Sequence, residues 1–114
     1  MASGASASEP VLDMSEIILL YKGDAQKMVI TMRSALGRWD EIASGGAARQ
    51  ELRRIAHQLR GSGRTYGFYS VTRVSKALEK IILKLEGRVL SPDERVRKSL
   101  SEKIERLAAI FNEA

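Results

Sequence analysis

One side chain stands apart in this sequence: His57, its only histidine. It lies in Arg53-Arg54-Ile55-Ala56-His57-Gln58-Leu59-Arg60-Gly61-Ser62-Gly63-Arg64, a segment that reads as helix. On a helix, residues three and four apart lie side by side. His57 then has Arg53 and Arg54 below it, Arg60 and Gly61 above it, and Arg64 one turn further. The apolar Leu52, Ile55, Ala56 and Leu59 fall on the other side. An imidazole facing water, ringed by guanidinium groups, is poorly placed for a core and well placed to carry a phosphoryl group. Neutral imidazole is a nucleophile through the nitrogen that lacks a proton, and the partner of the other nitrogen decides which one that is. The product needs cationic donors, which Arg supplies in a fixed fork. It also needs room, which a residue without a side chain gives at Gly61. Arg60, Gly61 and Ser62 thus offer a charge, an opening and a hydroxyl in succession.

Two glycines inside one helix require a reason, since each costs about 1 kcal/mol relative to alanine. Gly61, on the His57 face, reads as access to the imidazole. Gly63 admits two readings: access, or close approach of the next helix.

The elements that must position His57 are helical throughout. A short helix is expected over Val11 to Tyr21, ended by Gly23, with Asp24 capping the next. That second helix runs to about Ala43 with Ala25, Met28, Val29, Met32, Ala35, Leu36, Trp39, Ile42 and Ala43 on its apolar stripe. Met28, Met32 and Trp39 read as core. Ser44-Gly45-Gly46 breaks the pattern. A third helix carries His57 from about Ala47 to Thr65, and Gly67 is its natural stop. A fourth starts near Phe68 or Tyr69 with the stripe Val71, Val74, Leu78, Ile81 and Leu85, and ends at Gly87. Ser91-Pro92-Asp93-Glu94 predicts an N-cap serine, a proline at the first helical position and a capping-box glutamate. The last helix buries Val96, Leu100, Ile104, Leu107 and Phe111. No stretch alternates with period two. The expected fold is all-α: an antiparallel up-down-up-down four-helix bundle with a short additional N-terminal helix. Residues 1–8 read as a disordered tail and 9–114 as one bundle domain.

Composition narrows the chemistry. The chain has 114 residues and no cysteine, which removes disulfides, thiol catalysis and thiolate metal sites. One histidine without cysteine does not make a zinc site of the usual kind, so no metal is expected. No Ser-His-Asp order or paired-carboxylate cleft is legible. The start has no secretory signal, and the run Ile17 to Tyr21 is far short of the roughly 20 residues that span a bilayer. These features lead to a cytoplasmic protein without membrane association. The net charge of +5 favours an acidic partner, either protein or nucleic acid.

The motif His57-Gln58-Leu59-Arg60-Gly61-Ser62-Gly63, preceded by Ala56 and followed by Tyr66-Gly67, resembles the signature of the histidine-containing phosphotransfer (HPt) family. Ala77-Leu78-Glu79 resembles its second block, on the following helix. Thr65-Tyr66-Gly67-Phe68 is similar to the N-terminal phosphotransfer domain of chemotaxis histidine kinases. The resemblance implies a four-helix bundle that relays phosphoryl groups between receiver-domain aspartates, or from a kinase to a receiver. It implies His57 as the phosphoacceptor, through the ring nitrogen remote from the backbone, and Arg60 as the basic residue beside the phosphate. By the chemotaxis-kinase likeness, Glu79 hydrogen-bonds the inner ring nitrogen. Arg60 stands where lysine is commoner. Arg53, Arg54 and Arg64 fall outside the signature and read as partner contacts or as a solvated face. Glu79 admits a plainer reading too, as an ion-pair partner of Lys76 or Lys80.

The expected partners are a response-regulator receiver domain and a histidine kinase, including a hybrid one. No cofactor is expected, since magnesium would sit in the receiver. With no glycine-rich phosphate loop and no room for a kinase domain, the carrier is expected to lack autokinase activity. A monomer is expected because one bundle buries all the stripes. A basic nucleic-acid-binding module is the competing class, with Arg53, Arg54, Arg60 and Arg64 on phosphates. Gly61 amid that basic face argues against it, as does the absence of a short recognition helix. A third option is a phosphotransfer domain cut from a larger kinase.

Overall fold

The computed structural model describes residues 13–41 and 45–113. Four helices follow one another: α1 (Met14–Leu36), α2 (Gly45–Thr65), α3 (Tyr69–Glu86) and α4 (Glu94–Glu113). Among the described residues there is no strand, so the fold is all-α. The helices close a ring in which α1 lies against α2 and α4, and α3 against α2 and α4, with the α2–α3 seam the most extensive. Side-chain pairs give the directions. Arg33 meets Glu105 and Gln26 meets Asn112, so α1 and α4 run antiparallel. His57 meets Glu79 while Arg53 meets Glu86, so α2 and α3 do as well.

Each helix turns an apolar stripe inward. Ala25, Val29 and Met32 of α1, Leu52, Ile55 and Leu59 of α2, Val71, Leu78 and Ile82 of α3, and Leu100, Ile104, Leu107 and Phe111 of α4 are buried in one continuous core. Burying a large aliphatic or aromatic side chain contributes about 1.5–3 kcal/mol, which outweighs local propensity wherever the two conflict.

Gly23 shows such a conflict. The expected break at Gly23-Asp24 does not occur, because α1 runs through it unbroken over 23 residues. Gly23 has open space around it, while Tyr21 and Ala25 on either side pack inward. Continuous packing overrides a cost of about 1 kcal/mol for glycine. The true start is capped by Asp13, whose Oδ1 accepts the Glu16 backbone N–H at 2.9 Å. That bond holds the Asp13 carboxyl below the usual range. The separate N-terminal helix therefore merges into α1, and Val11 and Leu12 lie outside the described residues.

At its other end α1 stops at Leu36, earlier than the expected Ala43. Trp39 is core as expected, but it reaches the core from a turn. The Arg49 guanidinium donates to its carbonyl. Ile42 and Ala43 lie outside the described residues, as does the whole of 1–12.

The α2 stop is the expected one: Gly67 has φ +83, in the left-handed region glycine favours. On α3 the buried stripe is rotated from the expected one. Val71, Leu78 and Leu85 are buried, but Val74 and Ile81 only partly, and Thr72, Ser75, Glu79 and Ile82 take the inward positions. Both stripes have three-four spacing, and the apolar one was the natural choice by composition. The last helix begins at Glu94 and is capped by Asp93, whose Oδ1 accepts the Val96 N–H at 2.9 Å. Ser91 instead offers its carbonyl to the Asp93 N–H, so the expected serine cap shifts by two residues.

Candidate functional site

The α2–α3 seam positions the site. Leu52, Ile55, Ala56 and Leu59 anchor α2 in the core, which turns His57 outward with its side chain 64% exposed. Across the seam, the rotated stripe of α3 brings a carboxylate inward. Glu79 has a side chain only 11% exposed, and its Oε2 lies 2.8 Å from His57 Nδ1. A carboxylate accepts and does not donate, so Nδ1 carries the proton and Nε2 keeps its lone pair toward solvent. The other oxygen, Oε1, lies 2.8 Å from Arg60 Nη1. That N–H is not aimed along the contact, and Oε1 accepts no hydrogen bond. It is an ion pair of proximity, which leaves the half-exposed guanidinium able to turn.

The two glycines separate in function. A Cβ on Gly61 would meet nothing within 4 Å. A Cβ on Gly63 would lie 2.9 Å from Thr72 Oγ1, 3.0 Å from the Phe68 carbonyl oxygen and 3.1 Å from Val71 Cγ1. Gly63 lets α2 and α3 close, and that closeness brings Glu79 within reach of His57. Gly61 packs against nothing and leaves the surface beside the imidazole open.

Ser62 is placed elsewhere. Its Oγ sits 2.9 Å from the Tyr21 hydroxyl. Tyr21 in turn stacks on Tyr66 with centroids 4.5 Å apart and contacts Phe68 and Phe111. Burial pushes the Tyr21 phenol up, against the smaller opposing effect of the Ser62 bond. Ser62 therefore ties α2 to α1 and does not face the imidazole.

The outer arginines differ among themselves. Arg53 reaches across the seam to Glu86 at 3.1 Å. Arg54 grips Glu51 with two N–H groups and Gln58 with a third. The hydrogen bonding from Arg54 holds the Glu51 carboxyl below its usual range. Arg64 pairs with no acid among the described residues. It lines an open groove of about 310 Å³ with Arg60, Gly61, Thr72 and Lys76. Thr72 Oγ1 donates to the Arg60 carbonyl at 2.9 Å, fixing the floor of the groove.

Sequence reasoning treated Lys76 only as a possible ion-pair partner of Glu79; Lys76 instead lines this groove, and the Glu79 oxygens lie against His57 and Arg60. Among the described residues, no group of three or more His, Asp, Glu or Cys is arranged to hold a metal ion. No helix among them is long and apolar enough to cross a membrane.

An outward imidazole, oriented by a buried carboxylate on a helical bundle, is suited to accept a group at its free nitrogen. The family model of the Hpt domain matches residues 16–110. The chain belongs to the Hpt domain family, whose members carry out histidine phosphotransfer in phosphorelay signalling and interact with kinases and receiver domains. No curated protein and no solved structure matches the chain at significance.

Proposed function

We propose that this chain relays a phosphoryl group through His57 between a kinase or receiver domain and a response-regulator receiver domain. The observation that carries the reading is the 2.8 Å contact between His57 Nδ1 and the buried Glu79 carboxylate. It leaves Nε2 as the nucleophile. In the transfer step the Nε2 lone pair forms the N–P bond as the P–O bond of the donor phosphoaspartate breaks, and the aspartate leaves as a carboxylate. The proton on Nδ1 stays, so the ring becomes cationic. The neighbouring Glu79 carboxylate stabilises that charge as it develops. The reverse step returns the phosphoryl group to an aspartate.

Arg60 sits between Glu79 and the groove and turns toward the phosphoryl group once it arrives. Gly61 leaves the approach clear for the partner. Arg53 and Arg54 present positive charge to an acidic receiver, which speeds encounter. The chain acts as a cytoplasmic monomer with neither autokinase activity nor a cofactor of its own, the magnesium being held by the receiver. Its local likeness to chemotaxis-kinase phosphotransfer domains fits the presence of an acid at position 79.

The test is incubation with a phosphorylated receiver domain and magnesium. Wild type acquires an acid-labile, base-stable phosphoryl group, and His57→Gln does not. Equal labelling of the variant would refute the assignment.

A further inference from the structure

We propose that Arg64 and Lys76 join Arg60 in a clamp that receives the phosphoryl group. The proposal rests on the reading of His57 as phosphoacceptor and assigns the groove beside it. Three cations line that groove, and they are not equivalent. Arg60 is held by Glu79 at 2.8 Å. Arg64 and Lys76 line the same depression and neither has a carboxylate partner among the described residues.

The other two arginines that flank His57 on α2 are engaged: Arg53 pairs with Glu86 and Arg54 with Glu51. Two unpaired cations on facing helices, around a groove that contains no acid, leave a positive charge with nothing to neutralise it. The floor between them is Gly61, where a Cβ would meet only open space, and the Thr72 side chain, which is tied to the Arg60 carbonyl. Gly61, which lines the groove, is one helical turn from His57 on the same face of α2. An anion that fits is a tetrahedral dianion on Nε2. Arg64 offers a planar fork and Lys76 a compact point charge, approaching from opposite helices.

Such a clamp acts on the phosphoryl group itself, and its effect persists with no partner protein. A docking surface acts only on a protein donor. Phosphoramidate separates the two, since it is a small donor without a protein surface. Its P–N bond breaks as Nε2 forms the new N–P bond, and ammonia leaves. The measurement is the rate of His57 labelling by phosphoramidate, followed by intact mass. R64A/K76A labels about tenfold more slowly than wild type, the scale of losing two charge-assisted contacts at an exposed site. R64K/K76R retains most of the rate. R95A/K98A, which removes the same net charge from exposed positions on α4, labels at the wild-type rate. All three keep the wild-type unfolding temperature, because the altered side chains are exposed.

If R64A/K76A labels normally with phosphoramidate and is slow only with a phosphorylated receiver, the two cations serve docking and the clamp is overturned. Equal slowing of R95A/K98A also overturns it, since general charge would then explain the effect. Failure of wild type to label at His57 with either donor removes the parent reading and the clamp with it.

Discussion

Two seams of this bundle carry similar ion pairs in different surroundings. On the α1–α4 seam, Arg33 and Glu105 meet at 2.7 Å with both side chains about half exposed. On the α2–α3 seam, Glu79 is nearly buried and is shared between His57 and Arg60, both of which reach solvent. The first pair closes a surface and is worth at most about 1 kcal/mol. The second places a desolvated carboxylate under an exposed nucleophile, a poor use of a buried position for stability alone. The contrast shows that distance does not identify a working ion pair; burial of one member beneath a reactive group does.

The comparison breaks most sharply at Glu79. Glu79→Leu is expected to slow phosphotransfer by about 10–100-fold, the scale of losing charge stabilisation and ring orientation at a reacting group. Its unfolding free energy should stay level or rise, because removing a buried charge whose partners can turn to water is often neutral or stabilising. Rapid transfer with lowered stability would reverse the account of the seam. Paired measurement of transfer rate and urea unfolding on this one variant decides it.

Next in size is Gly63. Gly63→Val puts a Cβ 2.9–3.1 Å from Thr72, Phe68 and Val71, so overpacking should destabilise the domain by about 1–3 kcal/mol. Gly61→Ala, two residues away, should instead stabilise by up to about 1 kcal/mol through helix propensity. A bulky residue at Gly61 should leave unfolding unchanged and obstruct transfer. Equal stability losses at the two glycines would erase the distinction between packing and access.

Arg60→Ala should reduce transfer several-fold with a stability change under about 1 kcal/mol, as for an exposed pair. The smallest effect belongs to the α1–α4 seam. The hydrogen bond from Arg33 holds the Glu105 carboxyl below its usual range. Its folded pKa is therefore lowered relative to the unfolded chain. The stability this contributes is complete above the ordinary glutamate range and is lost as pH falls through the folded pKa. Glu105→Gln should remove that part of the acid dependence, read by unfolding at stepped pH, and leave phosphotransfer untouched.

Much of this was legible in the sequence, and the misses have causes. The exposure of His57 followed from Leu52, Ile55, Ala56 and Leu59, since four apolar anchors on one side leave little choice of face. The stop at Gly67 was readable because the left-handed turn there uses glycine. Gly23 misled because propensity is local, while the packing of Tyr21 and Ala25 that overrides it is tertiary. The rotation of α3 misled more consequentially. An apolar stripe through Val74 and Ile81 looked better than one through Ser75 and Ile82, and only the second turns Glu79 inward. Glu79 itself was found through the family resemblance. The surroundings of Ser62 and Lys76 were not legible for a related reason: helical spacing says which residues share a side, but the partner helix decides what each side meets.

Because His57 is the only histidine, its ring nitrogens can be followed without ambiguity. Long-range nitrogen–proton correlation of the neutral imidazole should show the proton on Nδ1, and after phosphotransfer the phosphorus should couple to Nε2. A proton on Nε2, or phosphorus on Nδ1, would contradict the claim that Glu79 sets which nitrogen reacts.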